Sequence, residues 1–243
     1  MAAAKGKFIV IEGTDGSGKG TQFQKLVERL NVVNVPLATF DFPQYGKPSA
    51  YFVEQYLNGR YGAMNESVSG LFALDRVDAV SPEAASLFYA LDRFDIRKDI
   101  NDALAAGKLV LSNRYVTSNM GHQGAKIARK VDRARYLKWL DNIEYGILGA
   151  ARPDMVILLH VPAAIAQQLI AKKAERKYLE GVKKDIHEKN LEYLKNAEAV
   201  YLEVAAMYPE TFRVIECTEG GNLMPIEAIH ERVWAVIEPL TRR

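Results

Sequence analysis

The stretch GTDGSGKGT, residues 13–21, has the residue types and the spacing that hold phosphate groups. Gly13, Gly18 and Lys19 match the pattern G-x-x-x-x-G-K between the apolar run KFIVIE and the helix-like segment FQKLVERL. Glycines leave several backbone N–H groups uncovered, the following helix adds its positive N-terminal dipole, and the lysine brings a mobile positive charge. The predicted cradle for nucleotide phosphates consists of Gly13, Thr14, Asp15, Gly16, Ser17, Gly18, Lys19, Gly20 and Thr21.

Two residues depart from the simple form of this loop. A hydroxyl usually follows the lysine to contact Mg²⁺, but the chain has Gly20 there, so either Thr21 serves or the metal is held through water. Asp15 places an acid beside phosphates. It suits a carboxylate that accepts from a sugar hydroxyl, one that helps to hold Mg²⁺, or one that only stabilises the helix N-terminus. The chain has no Asn-Lys-x-Asp guanine signature, so a GTP switch is not favoured.

A second polar group follows the apolar run KLVLSN, in the motif SNRYVTSNMGHQ. Arg114 ends this run, where a charge is poorly placed for core packing and well placed for a ligand. A guanidinium binds a phosphate through two parallel hydrogen bonds, so we expect Arg114 to bind one. Ser118 and Asn119 open the next loop, and an Asn amide can pair with a pyrimidine edge.

The motif DFPQYG also leaves a predicted strand end. Ligands of open parallel sheets bind beyond the carboxyl ends of the strands, so Phe42, Pro43 and Tyr45 would wall a ligand pocket. The alternative is a structural turn, because Pro-x-x-Gly is common in turns.

The segment from Ser81 to about Ala106 predicts one long helix, with Ser81 as its cap and Gly107 beyond its end. Tyr89, Arg93 and Arg97 recur every four residues on one face. Tyr89 could stack on a base while Arg93 donates to the carbonyl edge of that base or to a phosphate. Alternatively, Arg93 pairs with the preceding aspartate on a solvated face.

The elements that must position these residues alternate along the chain. Short apolar runs predict strands at 7–13, 37–42, 108–113, 154–161 and 212–217. Three of them are almost continuously hydrophobic, as in parallel strands that are covered on both faces, and helix-length segments separate them. This alternation predicts a three-layer α/β fold with a doubly wound, five-stranded parallel sheet in a single domain of 243 residues.

Composition excludes several other classes of protein. The formal net charge of +2 does not favour nucleic-acid binding, and no segment reads as a membrane span or a signal peptide. Cys217 is the single cysteine, which is consistent with a reducing compartment. We expect a cytoplasmic protein.

Four motifs in this order, GTDGSGKGT, DFPQYGKPSA, LFYALDR and SNRYVTSNMGHQ, resemble the thymidylate kinase family over essentially the whole chain. The resemblance implies a P-loop nucleotide-kinase fold with a helical lid, ATP as phosphoryl donor, dTMP as acceptor, Mg²⁺, and a homodimer. It implies that Asp15 faces the 3′-hydroxyl of the acceptor sugar or the metal, and that Asn119 reads thymine. The residues expected to bind dTMP are Asp15, Phe42, Pro43, Tyr45, Tyr89, Arg93, Arg114, Ser118, Asn119 and His122.

The lid of the family is matched by the basic segment 171–188. Thymidylate kinases place an extra arginine in the phosphate loop or in the lid, and because the loop position is Gly16 here, Arg176 is expected to supply it. Glu188 would then meet the metal or the ligand. The alternative for this basic segment is a solvated helix face.

Two positions depart from the family pattern. Asn113 stands where the family has an aspartate, and His122 stands where an aromatic residue usually lies near the 2′ position of the sugar.

An acceptor phosphate is already ionised, so the expected catalysis by Lys19, Arg114, Arg176 and Asp15 needs no general base. The alternatives are another nucleoside-monophosphate kinase and a nucleotide-binding protein without turnover.

Overall fold

The computed structural model describes residues 5–61, 80–179 and 191–241, without the side chains of residues 173–179. Within these ranges five strands form one parallel sheet in the order β2-β3-β1-β4-β5. Their bounds are Phe8–Glu12 for β1, Leu37–Asp41 for β2, Leu109–Asn113 for β3, Met155–His160 for β4 and Phe212–Glu216 for β5. The five predicted strands and their parallel arrangement are therefore confirmed.

Helices cover both faces of the sheet. Their bounds are α1 Lys19–Val32, α2 Tyr51–Leu57, α3 Pro82–Asp95, α4 Arg97–Ala105, α5 Val116–His122, α6 Lys130–Asp141, α7 Ala163–Leu179, α8 Leu191–Met207 and α9 Ile226–Thr241. Two short strands, Thr218–Glu219 and Asn222–Leu223, form a hairpin before α9. None of the helices in the described ranges is both long and apolar enough to cross a membrane.

The core lies on both sides of the central strands, because successive side chains of a strand point to opposite faces. Ile9 and Ile11 of β1 pack with buried residues of α1 and α9, whereas Phe8 and Val10 pack with buried residues of α4, α5, α6 and α8. All four side chains are fully buried. This packing forms the predicted three-layer, doubly wound architecture.

The predicted helix from Ser81 to Ala106 is wrong in one respect, since it is two helices. Ser81 caps α3 by accepting a hydrogen bond from the backbone N–H of Ala84 at 3.2 Å, as predicted. The helix then ends at Asp95, and Ile96 adopts φ −107° and ψ 14° before α4 begins. The apolar periodicity runs through this break, so the sequence does not signal it. Arg97 therefore does not extend the face that carries Tyr89 and Arg93.

The helical spacing of residues 183–208 and 225–240 also predicts two C-terminal helices, which agree with the structure where it describes them. The helix predicted from residue 183 is described from Leu191 to Met207 as α8, and its first residues lie outside the described part. The last predicted helix corresponds to α9.

The strand order creates a crevice at the carboxyl ends of β1 and β3. The chain runs from β1 to the edge strand β2, returns to β3 beside β1, and then continues on the other side of β1. Ligands of doubly wound folds bind at such a reversal of strand order. The phosphate loop follows β1 and Arg114 follows β3, so both predicted ligand groups start at this crevice.

Candidate active site

The loop between β1 and α1 adopts a backbone conformation that needs glycine. Gly13, Gly16 and Gly18 have φ values of 148°, 81° and 84°, which L side chains rarely adopt. A Cβ atom at Gly13 would also lie 2.6 Å from Ser17 Oγ and 2.7 Å from the carbonyl oxygen of Leu159. The loop is therefore tightly closed against β4, and its first glycine cannot be replaced without moving it.

The polar groups of this loop have the chemistry that an anion requires. The Lys19 ammonium folds back and donates to the carbonyl oxygens of Gly13 and Thr14, at 2.9 and 2.7 Å. The hydroxyls of Thr14 and Ser17 are buried and have no hydrogen-bond partner among the described residues. A buried hydroxyl without a partner is costly, and phosphate oxygens would accept from both. These observations support the predicted cradle.

Arg114 lies against the loop. It follows β3 with a φ of 65°, a left-handed conformation uncommon for a residue other than glycine, which places its guanidinium in an ion pair with Asp15. Its Nη1 contacts His122 Nε2 at 3.0 Å and approaches the Ser118 hydroxyl at 3.5 Å. The structure thus brings together four of the predicted site residues from two strand ends.

The ion pair dominates the electrostatics of the crevice. Burial alone would raise the pKa of Asp15, but the positive charges of Arg114 and Lys19 outweigh it and hold this pKa well below its usual range. Burial works against the charge of Arg114 as well, and Asp15 raises the pKa of the guanidinium above its ordinary value. Both groups are therefore ionised at neutral pH.

Sequence reasoning missed Glu12, the last residue of β1. Its side chain is 0% exposed, and it accepts hydrogen bonds from the backbone N–H of Tyr115 at 3.0 Å and from the hydroxyl of Thr117 at 2.7 Å. The hydroxyls of Ser118 and Tyr201 donate to it at 3.0 Å. One carboxylate thereby holds the start of α5 against the phosphate loop. The sequence signal for this residue is an acid at the end of the otherwise apolar strand β1.

Arg93 is enclosed more completely than the sequence indicated. Its side chain is 2% exposed and forms a two-point ion pair with Glu144, which belongs to the π-helical segment Asn142–Ile147 after α6. Its Nη1 also donates to the carbonyl oxygen of Tyr115, at 3.4 Å. The alternative of a solvated Asp92–Arg93 pair is therefore wrong. The predicted contact of Arg93 with dTMP stays a prediction.

Asp92 instead anchors the DFPQYG loop. Its carboxylate accepts from the backbone N–H of Gln44 at 2.9 Å and from the Ser49 hydroxyl at 2.7 Å. The loop that follows β2 is thereby fixed to α3 through hydrogen bonds to a buried charge, which are stronger than those between neutral groups.

The other predicted dTMP residues lie around this loop and α5. Phe42 is buried and packs on Tyr115 with ring centroids 5.8 Å apart, whereas Tyr45 is exposed. Tyr89 packs edge to face on Tyr56, with centroids 6.3 Å apart. Asn119 is buried, and its amide donates to the carbonyl oxygen of Ser86 at 3.2 Å. Phe42 therefore packs with the core, and the contacts of Phe42, Pro43, Tyr45, Tyr89 and Asn119 with a nucleotide stay predictions.

Candidate metal ligands are few. Within the described ranges no group of three or more His, Cys, Asp or Glu side chains could hold a metal ion. Asn113 donates from its amide nitrogen to Asp41 at 2.8 Å, and its Oδ1 is buried without a hydrogen-bond partner in the described part of the chain. The side chain of Arg176 and all of Glu188 lie outside the described residues.

Comparisons with known proteins indicate one family. The family model described as thymidylate kinase matches residues 11–233. The thymidylate kinase of Mycobacterium tuberculosis is 31% identical over 202 residues, covering 82% of this chain and 85% of that protein. That of Pelotomaculum thermopropionicum is 29% identical over 229 residues, covering 93% and 92%. The structure of thymidylate kinase from Candida albicans superposes with a TM-score of 0.68 at 21% identity, covering 97% of this chain and 92% of that one.

Proposed function

The chain belongs to the thymidylate kinase family, and on this premise we propose that it transfers the γ-phosphoryl group of ATP to dTMP, giving ADP and dTDP for dTTP synthesis. The observation that carries the proposal is the contact between Asp15 of the phosphate loop and Arg114 beyond β3. This contact supports the proposal, because the proposed cradle for the donor phosphates and the proposed guanidinium for the acceptor phosphate lie against each other. Two nucleotides can therefore meet there with their phosphates facing each other.

The proposed mechanism consists of alignment and charge neutralisation. The acceptor is a phosphate that is ionised at neutral pH, so no side chain has to remove a proton from it. The loop N–H groups and Lys19 bind the β- and γ-phosphates of ATP, and Arg114 holds the phosphate of dTMP in line with them. Arg176 of the proposed lid segment 171–188 would add positive charge at the transferred group.

Asp15 stands in for the acceptor phosphate in this structure. Its Oδ1 atom accepts a hydrogen bond from Arg114 Nη2, as a phosphate oxygen would. When the dTMP phosphate takes this place, the carboxylate is released toward the sugar, where it accepts a hydrogen bond from the 3′-hydroxyl. The carboxylate thus keeps the guanidinium oriented before the substrate arrives.

Mg²⁺ fits the donor set of this site when the phosphates supply most of its ligands. It is a hard cation that prefers oxygen. Asn113 Oδ1, which has no hydrogen-bond partner among the described residues, would offer one oxygen at the end of β3, and the exposed Thr21 would offer a hydroxyl in the first turn of α1. Asp15 and Glu188 are the proposed carboxylates near it. The ion would neutralise negative charge on the transferred phosphoryl group.

A homodimer is part of the proposal. Leu87, Leu91 and Phe94 lie on one face of α3 and are all exposed, with Leu91 46% accessible. An apolar stripe of this kind is typical of a protein–protein interface, and a C2 dimer would bury it twice. Leu91→Glu introduces a charge on this face and should give a monomer by light scattering; a variant that stays dimeric would exclude this face.

The activity is tested by measuring ADP release from ATP with dTMP, dUMP, dCMP or dAMP as acceptor. Turnover strongest with dTMP supports thymidylate kinase, and a preference for another acceptor indicates a different nucleoside-monophosphate kinase. Binding of ATP and dTMP together without dTDP would show a binding protein without turnover. We also propose a cytoplasmic location and a single kinase domain for the whole chain.

The assignment of Arg114 has its own variant. Arg114→Lys keeps the charge but loses two-point binding, so the KM for dTMP should rise roughly 10- to 100-fold, as for the loss of one charged hydrogen bond. The KM for ATP should stay unchanged. A selective loss of ATP affinity would show that Arg114 faces the donor instead.

A further inference from the structure

The contacts of His122 fix the position of its proton. Its Nε2 lies 3.0 Å from Arg114 Nη1, and a guanidinium can only donate, so Nε2 accepts. A neutral imidazole then carries its hydrogen on Nδ1, which lies 3.0 Å from the hydroxyl of Tyr193. The Tyr193 oxygen accepts this hydrogen bond. The two hydrogen bonds therefore run in one direction, from Arg114 to His122 and from His122 to Tyr193.

Aromatic rings of α8 hold the imidazole on two sides. The ring of Tyr193 stacks on it with centroids 6.1 Å apart and an angle of 22°, and the ring of Tyr201 meets it edge-on at 5.5 Å. His122 ends α5, whose start is held by Glu12. Side chains of α8 thus fix the position of the imidazole.

We propose that Tyr193 is a positioning residue for the acceptor phosphate: its hydroxyl accepts the hydrogen bond from Nδ1–H of His122 and fixes the imidazole, whose Nε2 holds the Arg114 guanidinium in its binding orientation. The proposal rests on the proposed role of Arg114 in binding dTMP. In this role Tyr193 acts through His122.

A neutral acceptor suits this position better than a second carboxylate. When dTMP phosphate replaces Asp15, Arg114 loses its ion pair with the protein, and its side chain keeps the contacts of Nη1 with His122 and, at 3.5 Å, with Ser118. Another carboxylate would repel the phosphate and compete for the guanidinium, whereas the imidazole nitrogen does neither. The strained backbone of Arg114, at φ 65°, makes such a side-chain anchor more necessary.

The test is a double-mutant cycle on dTMP binding, measured by calorimetry with the purified chain. Tyr193→Phe keeps the ring and removes the hydroxyl, so the Kd for dTMP should rise roughly threefold to tenfold, as for the loss of one neutral hydrogen bond. His122→Phe should weaken dTMP binding further, and adding Tyr193→Phe to it should have no further effect. His122→Gln offers Oε1 as an acceptor and should restore most of the affinity.

The affinity for ATP distinguishes a positioning role of Tyr193 from a general role in stabilising the fold. The Kd for ATP should stay unchanged in every variant, and Tyr208→Phe, an exposed tyrosine beyond the end of α8, is the matched control. An unchanged Kd in Tyr193→Phe, additive effects of the two substitutions, or equal losses for ATP would overturn the proposal. If Arg114→Lys also leaves dTMP binding unchanged, the acceptor site itself is misassigned; if it weakens binding while Tyr193→Phe does not, only the role of Tyr193 fails.

Discussion

Replacing Glu12 tests whether a single buried carboxylate holds the active-site crevice together. It receives hydrogen bonds from one backbone N–H and three hydroxyls, at distances from 2.7 to 3.0 Å. In Glu12→Ala all four donors lose their acceptor. The hydroxyls of Thr117, Ser118 and Tyr201 can rotate toward other partners, but the N–H of Tyr115 cannot.

The expected loss can be worked from these contacts. An unsatisfied buried donor costs about 1–3 kcal/mol, and the lower end applies to hydroxyls that can turn. Four donors at about 1 kcal/mol each give a loss of about 4 kcal/mol in the free energy of unfolding. For a chain of this size that lowers Tm by about 10 °C. Glu12→Gln should lose only about 1 kcal/mol, because the hydroxyls of Ser118 and Tyr201 can turn to accept from the new amide.

The assay is urea unfolding followed by tryptophan fluorescence, together with the KM for dTMP. Glu12→Met fills a similar volume without an acceptor, so it separates the lost hydrogen bonds from the cavity. Met should be nearly as destabilising as Ala if the hydrogen bonds dominate. The exposed Glu210→Ala is the control and should change stability by less than about 0.5 kcal/mol. The reasoning is refuted if Glu12→Ala and Glu12→Gln are equally mild, since the network would then contribute little.

Three further outcomes follow from the site. Lys19→Ala should lower kcat by roughly 10²- to 10³-fold, as for other groups that stabilise transition-state charge, with dTMP affinity largely kept; loss of dTMP binding in calorimetry would contradict its place on the donor side. Burial opposes a charge on His160, but its contacts with Glu198 and Glu216 raise its pKa above the ordinary 6.5. These contacts therefore stabilise the fold below pH 6.5, and the stabilisation is lost as the pH rises through the pKa of the folded state. His160→Gln should make the free energy of unfolding depend less on pH in this range, and an unchanged slope would exclude this contribution. A Cβ at Gly20 meets nothing within 4 Å, so Gly20→Ser should fold normally and reach half-maximal rate at lower Mg²⁺, whereas an unchanged Mg²⁺ requirement would show that Thr21 or water already fills this role.

The sheet and the phosphate loop were predictable because their signals are local. A buried parallel strand is a short apolar run, and a phosphate loop needs glycines at fixed spacing next to one lysine. Both patterns can be read within about ten residues, and the strand order then brings the loop and Arg114 to one crevice.

The parts that could not be predicted depend on distant contacts. Arg93 meets Glu144 only because an irregular π-helical segment follows α6, and no local pattern marks such a segment. The break at Ile96 is invisible because apolar residues continue in helical spacing on both sides of it. Tyr193 read as one more residue of an amphipathic helix, although its hydroxyl contacts His122 across the site.

The ion pairs of Arg93 and Arg114 indicate which arginine gives up its carboxylate partner when the phosphate of dTMP binds. Arg93 holds a fully buried carboxylate, and separating such a pair costs about 3–5 kcal/mol because it leaves an uncompensated charge. Arg114 holds Asp15 in a partly exposed crevice, where water and the incoming phosphate replace the lost contact. We therefore expect dTMP to displace Asp15 from Arg114 and to leave Arg93 paired with Glu144. Arg93 would then act on the site only through its hydrogen bond to the carbonyl oxygen of Tyr115. A dTMP complex in which Arg93 has left Glu144 for the phosphate would reverse these roles.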